Sequence, residues 1–216
     1  MATATAPVNV VIDLSHHNEK VDFKKIAAAG VVGIIHKATQ GMHFVDKKYA
    51  ERKKLALDAG LLWGAYHFGV GGDGSDQADF FLSTVKPDPT TLLVLDYEPN
   101  VTGPTMTLGQ AREFIEHTQQ VTGRFPGFYS GHLIKEQLGS VTTPDPVLSG
   151  CFLWIAQYNG PKPLGIPPTF QTWTFWQYTD GVHGNEPHTV NGVGQCDRNI
   201  FNGSLDQLKT LWGVAP

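Results

Sequence analysis

"TLLVLDYEPN" (residues 91–100) starts as a buried strand and ends in two carboxylates one residue apart, Asp96 and Glu98, followed by a proline. Thr91 to Leu95 are β-branched residues or leucine, the composition of a strand covered on both faces, as in parallel sheets. Acids have no packing reason to terminate such a strand. In a barrel of parallel strands, however, the C-terminal strand ends form the reactive mouth. The stretch therefore poses a barrel hypothesis that the remaining sequence can test.

Working outward, short apolar runs alternate with helical patterns. "NVVIDL" (9–14) reads as a first strand, and Asp22 caps a helix "FKKIAAA" that Gly30 stops. Residues 31–39 and 61–68 read as strands, 46–60 and 75–85 as helices, with Gly60 and Pro87 as stops. Thr107 and Gln110 form a capping box ahead of Leu108, Ala111, Phe114, Ile115 and Val121 on one helical face. "FPGFYS" (125–130) is a fifth strand and "HLIKEQL" (132–138) a short helix. The rhythm then changes. "CFLWIAQY" (151–158) and "TWTFWQYT" (172–179) are strands joined by a Pro-rich segment without helical period, and a second capping box, Ser204 with Gln207, opens a last helical turn. Five βα units followed by strands with few helices predict an α/β, parallel-sheet protein closed into a modified TIM-like barrel. No linker or composition shift divides it, so one domain over 1–216 is expected, its core about residues 9–203.

The polar residues bear on the same hypothesis. Strand ends carry Asp13, His36-Lys37, Tyr66-His67, Asp96 with Glu98, Tyr129, Gln157-Tyr158 and Gln177-Tyr178, and Asp197 lies beyond them in "QCDRNIF". Any one alone fits a loop or cap role, and Asp13-Leu-Ser15 could be a simple Asx-type turn. Their convergence at one end does not. Asp96 and Glu98 share one strand face, about 6–7 Å apart at Cβ. Two carboxylates that close on an apolar strand cannot both ionise cheaply, so one is expected to keep its proton near neutral pH. A proton-holding acid beside an ionised one suits glycosidic bond cleavage. Tyr66, Phe68, Tyr129, Trp154, Tyr158, Trp176 and Tyr178 are read as lying near the same mouth, where aromatic faces can stack on sugar rings.

In order and spacing, these motifs resemble glycoside hydrolase family 25, the Chalaropsis-type muramidases, from about residue 9 to 203. The resemblance rests on "VIDLS" with "VDF", "HKATQG", "AGLLWGAYHF", "LVLDYE", "GFYS", "LWIAQY", "FWQYTDG" and "CDRNIF". It implies a modified barrel of eight strands and five helices that hydrolyses the β-1,4 bond between N-acetylmuramic acid and N-acetylglucosamine in peptidoglycan. It also implies Glu98 as general acid, with Asp96, Asp13 and Asp197 as its companion acids. Lys37, Tyr66, Tyr129, Trp154, Tyr158 and Gln177 fall at groove-lining positions of the family. No metal or cofactor is implied; the partners are peptidoglycan glycan strands, and a monomer is expected. The chain departs from the family in "SHHN" after Asp13 and in a long insertion, "HGNEPHTVNGVGQC", before Asp197.

Three rival readings are weaker. A family 18, chitinase-like hydrolase would carry acids where Thr91 and Val94 stand. A metal-dependent hydrolase could use His16, His17, His36 and His67 with Asp13 and Glu98, but their spacing matches no metal motif. A non-catalytic wall-binding module on the same scaffold would have no need for all four acids. A formal net charge of −4 gives no general affinity for nucleic acid or anionic membranes. No apolar run is long enough to span a bilayer, and "MATATAPVNVVIDL" does not read as a secretory signal. Action on the wall then requires release as an endolysin, delivery as an effector, or a signal removed earlier. The two cysteines, Cys151 and Cys196, lack metal-ligand spacing and read as free thiols.

Overall fold

The computed structural model describes residues 6–215; the first five residues of "MATATAPVNVVIDL" and the last residue of the expected domain lie outside them. Eight strands form a closed barrel: β1 (Val8–Leu14), β2 (Gly33–Gln40), β3 (Leu62–Phe68), β4 (Leu92–Asp96), β5 (Gly127–Ser130), β6 (Leu153–Ala156), β7 (Phe175–Thr179) and β8 (Asp197–Phe201). Each strand pairs with the next in sequence, and β8 returns to β1. The first seven are parallel. β8 runs antiparallel to both of its neighbours. The sheet is therefore mixed at its last strand, which explains how an acid at the start of a strand, Asp197, reaches the mouth where the other strands end.

Helices α1 (Phe23–Ala28), α2 (Tyr49–Asp58), α3 (Gly74–Val85), α4 (Leu108–Thr122) and α5 (His132–Leu138) each follow one of the first five strands. The caps form as the sequence dictates. Asp22 accepts from the Lys25 amide, and both capping boxes, Thr107–Gln110 and Ser204–Gln207, are closed. Between β5 and β6, and between β6, β7 and β8, no further α-helix covers the barrel beyond α5, so loops carry those connections.

Strand alternation divides the core in two. Inward residues Val11, Ile35, Val94, Phe175 and Phe201 fill the lower barrel, and α6 (Leu205–Leu211) plugs it from below with Leu208 and the following Trp212. Trp212 is fully buried, and its indole N–H donates to the Trp63 carbonyl at 3.0 Å. Gly33 makes room for that ring, because a Cβ there would lie 3.2 Å from it. Outward residues such as Ile12, Ile34, Trp63, Leu95 and Phe128 pack under the helices. α3 and α4 meet closely through Phe81 and Phe114, whose centroids are 5.9 Å apart. A methyl on Gly74 would stand 2.0 Å from the Gln110 carbonyl oxygen, so only glycine permits that approach. Among the described residues, no helix is long and apolar enough to cross a membrane.

Candidate active site

With its lower half packed, the barrel opens at the top into a cleft of about 400 Å³. Asp13, Asp96, Glu98 and Asp197 all line it, together with Tyr66, Tyr129, Trp154, Tyr158 and Gln177. Nine of the ten expected site residues therefore meet in one place. Lys37, the tenth, stands beside the cleft: its ammonium donates to Gln40 Oε1 at 2.7 Å and lies 4.9 Å from the centre of the Phe68 ring.

Asp13 is held by a designed-looking set of donors. The antiparallel pairing of β7 with β8 puts Gln177 opposite Asn199, and both side-chain amides donate to Asp13 Oδ2, at 3.0 and 2.8 Å. Asp13 is thus no Asx turn. Gln177 Oε1 in turn accepts the hydroxyls of Tyr129 (2.8 Å) and Tyr158 (2.7 Å), and Asn199 Oδ1 accepts the Trp154 indole N–H at 2.7 Å. Trp154 is 2% exposed and packs edge-on to Tyr129 at 4.6 Å between centroids. It forms the floor of the cleft more than a stacking platform.

The electrostatics follow from burial of like charges. Burial pushes the Asp13 carboxyl up to about 6; its two amide donors pull it back, and the Glu98 charge adds to the rise. Asp197 is pushed to about 8 by burial and by Asp13. Burial, then the Glu98 charge, holds Asp96 well above the ordinary carboxylate range, against the pull of the Lys37 ammonium. Glu98 is also raised by burial, with His132 and Lys37 opposing. Both members of the pair are raised, the more deeply buried Asp96 more strongly, in the direction of a retained proton. The two groups act on each other, the Glu98 charge raising Asp96. Asp96 Oδ1 is buried without a hydrogen-bond partner among the described residues.

Not every expected residue faces the cleft. Trp176 and Tyr178 flank the inward Gln177 and so point outward under the helices and loops, where Trp176 donates to the Gln157 carbonyl and Tyr178 to that of Pro187. His36 and His67 also point outward and are fully buried. His36 donates from Nδ1 to the Lys37 carbonyl and accepts from Arg52; His67 accepts from Thr39 and donates to Gln77 Oε1. Burial lowers both imidazoles to about 4, so they are neutral structural groups. Neither of these two histidines lines the cleft with Asp13 and Glu98, as the metal reading would need. Cys151 and Cys196 are buried free thiols.

Other contributors had no sequence role assigned. Asn199 carries half of the Asp13 support, and only the D-x-N spacing after Cys196 hinted at it. Arg52, from α2, donates to the carbonyls of Ser15 and Asn18 and so fixes the "SHHN" loop. Ser15, His17 and Asn18 of that loop line the cleft, as do Gln195 and Cys196 at the end of the long insertion. The insertion folds back as a small hairpin, Thr189–Val190 against Gly194–Gln195. Both departures from the family pattern therefore sit on the rim.

Comparison with known proteins agrees with this geometry. The chain is 30% identical to "Lysozyme M1" of Streptomyces globisporus, over 93% of this chain and 70% of that protein. It is 26% identical to the "N,O-diacetylmuramidase" of Chalaropsis sp, over 92% and 96% of the two chains. Among solved structures, a family GH25 lysozyme from Aspergillus fumigatus superposes with a TM-score of 0.79 at 29% identity, covering 95% of this chain and 99% of the other. A bacterial lysozyme from Streptomyces coelicolor gives 0.78 at 29% identity, covering 97% of each. The family model described as "Glycosyl hydrolases family 25" matches residues 12–186. An eight-stranded barrel with an acid-lined mouth, matched along most of its length in sequence and in fold, belongs to glycosyl hydrolases family 25.

Proposed function

We propose that this protein is an N-acetylmuramidase that cleaves the β-1,4 bond between N-acetylmuramic acid and N-acetylglucosamine in peptidoglycan, through a catalytic domain spanning about residues 9–203. The observation that carries this reading is the Asp96–Glu98 carboxyl pair at the end of β4, both raised by burial and lining one cleft with two more raised acids, Asp13 and Asp197. Glu98 is the less buried of the two and reaches outward to the cleft, so it protonates the leaving glycosidic oxygen. Glu98 carries the proton of the pair when substrate is bound and gives it to the leaving oxygen, while Asp96 is ionised. It then stabilises the oxocarbenium-like charge or assists the 2-acetamido group in attacking the anomeric carbon. Asp13, raised only to about 6, is ionised at neutral pH and helps to raise Asp96, while Asp197, raised to about 8, keeps its proton and holds the sugar or a water. Tyr66, Tyr129, Trp154, Tyr158 and Gln177 shape the sugar site, and Lys37 tunes the pair from the side.

The names and family of the relatives support the substrate class, and the geometry supports the division of roles. The test is release of reducing ends from purified peptidoglycan, with the sugar at each new end identified by mass. Muramic acid ends support the proposal; glucosamine ends, or no release from several wall types, overturn it.

A further inference from the structure

A second cleft of about 390 Å³ adjoins the acid cleft, and the two share Glu98 and Tyr158 as a common wall. Its character is different. Where the first cleft gathers four acids, the second is lined by His132 and Lys135 from α5 with Gln157 and Asn159 from the loop after β6. Lys135 is half-buried there, and its ammonium donates to Gln157 Oε1 at 2.7 Å. The Gln157 side chain also accepts from the Leu164 amide and donates to the carbonyls of Asn159 and Lys162, so the loop is wound around it. Among the described residues, no carboxylate lies within ion-pair distance of Lys135. A fixed, partly desolvated cation without an anion faces the groove immediately beyond the general acid.

Resting on the muramidase reading, we propose that this second cleft binds the leaving-group side of the glycan, and that Lys135 is a specificity residue recognising the carboxylate of the next muramic acid substituent. Asp96 places the sugar undergoing attack in the acid cleft, so the aglycone lies on the far side of Glu98. The polymer is anionic because each muramic acid bears a lactyl carboxylate or an acid-ending peptide. The acid cleft takes the muramic acid under attack, and beyond the N-acetylglucosamine leaving group the next muramic acid presents its carboxylate to Lys135, whose ammonium supplies the opposite charge in the second cleft. The electrostatic pull of His132 on Glu98 is consistent with its lying along the same groove.

The test compares glycan strands freed of peptide, with lactyl carboxylates exposed, against the same strands with those carboxylates converted to methyl amides. Lys135→Gln raises KM on the carboxylate strands about fivefold, the scale of one part-exposed ion pair. The effect on methyl amide strands stays below twofold, and Lys135→Arg restores most of the difference. Equal effects of Lys135→Gln on both strands, or a wild-type KM indifferent to carboxylate blocking, overturn the proposal; the wild-type comparison decides alone if the variant fails to fold. Should the wild type release no reducing ends, direct binding of both strand types by calorimetry still decides: a Kd that Lys135→Gln weakens only for carboxylate strands sustains the cleft while the hydrolase reading falls, and equal Kd values overturn the cleft.

Discussion

Asp13 and Asp197 are register partners across the antiparallel β1–β8 pair, two acids set directly opposite each other at the mouth of the barrel. Burial raises both: Asp13 to about 6, with the Glu98 charge adding to the rise, and Asp197 to about 8, with the Asp13 charge adding. Both hold protons more tightly in the fold than in the unfolded chain, where a carboxyl titrates near pH 4. The stability they contribute is full below about pH 4 and is lost as pH rises through about 6 for Asp13 and about 8 for Asp197. Asp197→Asn should therefore raise Tm by roughly 3–8 °C at pH 8, a gain on the order of 1–3 kcal/mol, and leave Tm nearly unchanged at pH 4. Activity should fall about tenfold or more, the stability–function exchange common at active sites. Thermal melts at the two pH values check the sign; a lower Tm at pH 8 contradicts it.

Lys37 gives a second pH-dependent prediction. Its ammonium lowers both Asp96 and Glu98. Removing that charge in Lys37→Met lets the pair hold its proton to higher pH, so the alkaline limb of the kcat/KM profile should move upward in pH. A profile that stays in place, or shifts to lower pH, denies Lys37 any electrostatic reach to the acids.

Gln177 is a junction whose loss should be expensive. It accepts two tyrosine hydroxyls, from buried Tyr129 and half-buried Tyr158, and donates to buried Asp13. Gln177→Leu strands those groups and should cost about 2–4 kcal/mol in denaturant unfolding. The double variant with Tyr129→Phe should be less destabilised than the two single effects added together, because one orphaned hydroxyl is gone. Strict additivity counts against the network.

Arg52 acts at a distance from the chemistry. It ties β2 through His36 to the carbonyls of Ser15 and Asn18, and so holds one wall of the cleft. Arg52→Lys cannot span three acceptors with one ammonium. It should raise KM severalfold while kcat changes less; a loss confined to kcat would mean that the loop positions the acids and not the sugar.

Much of the fold was readable locally. Caps at Asp22, Thr107 and Ser204, stops at Gly30 and Gly60, and apolar runs at strand spacing are short-range signals, and each lies where the residues alone put it. β8 was not located because "DRNIF" is short and turns Asp197 and Asn199 inward, which inverts the usual apolar-in pattern. Its antiparallel direction depends on pairing with β1, nearly the whole chain away. In the site, the acids were legible because they interrupt apolar strands. The outward turn of Trp176 and Tyr178 follows from parity: once Gln177 faces in, its two neighbours must face out. Arg52 and Lys135 gave no sequence signal, since a cation on a helix surface reads as solvated until the loop it meets is known.

The central claim is that Glu98 delivers the proton. The most direct measurement compares wild type with Glu98→Gln on purified peptidoglycan, with EDTA throughout, counting new reducing ends and identifying them by mass, with folding of the variant verified by its melt. The account predicts muramic acid reducing ends from the wild type and a rate at least about a thousandfold lower from the variant. A folded Glu98→Gln protein that keeps a tenth or more of the wild-type rate would contradict it.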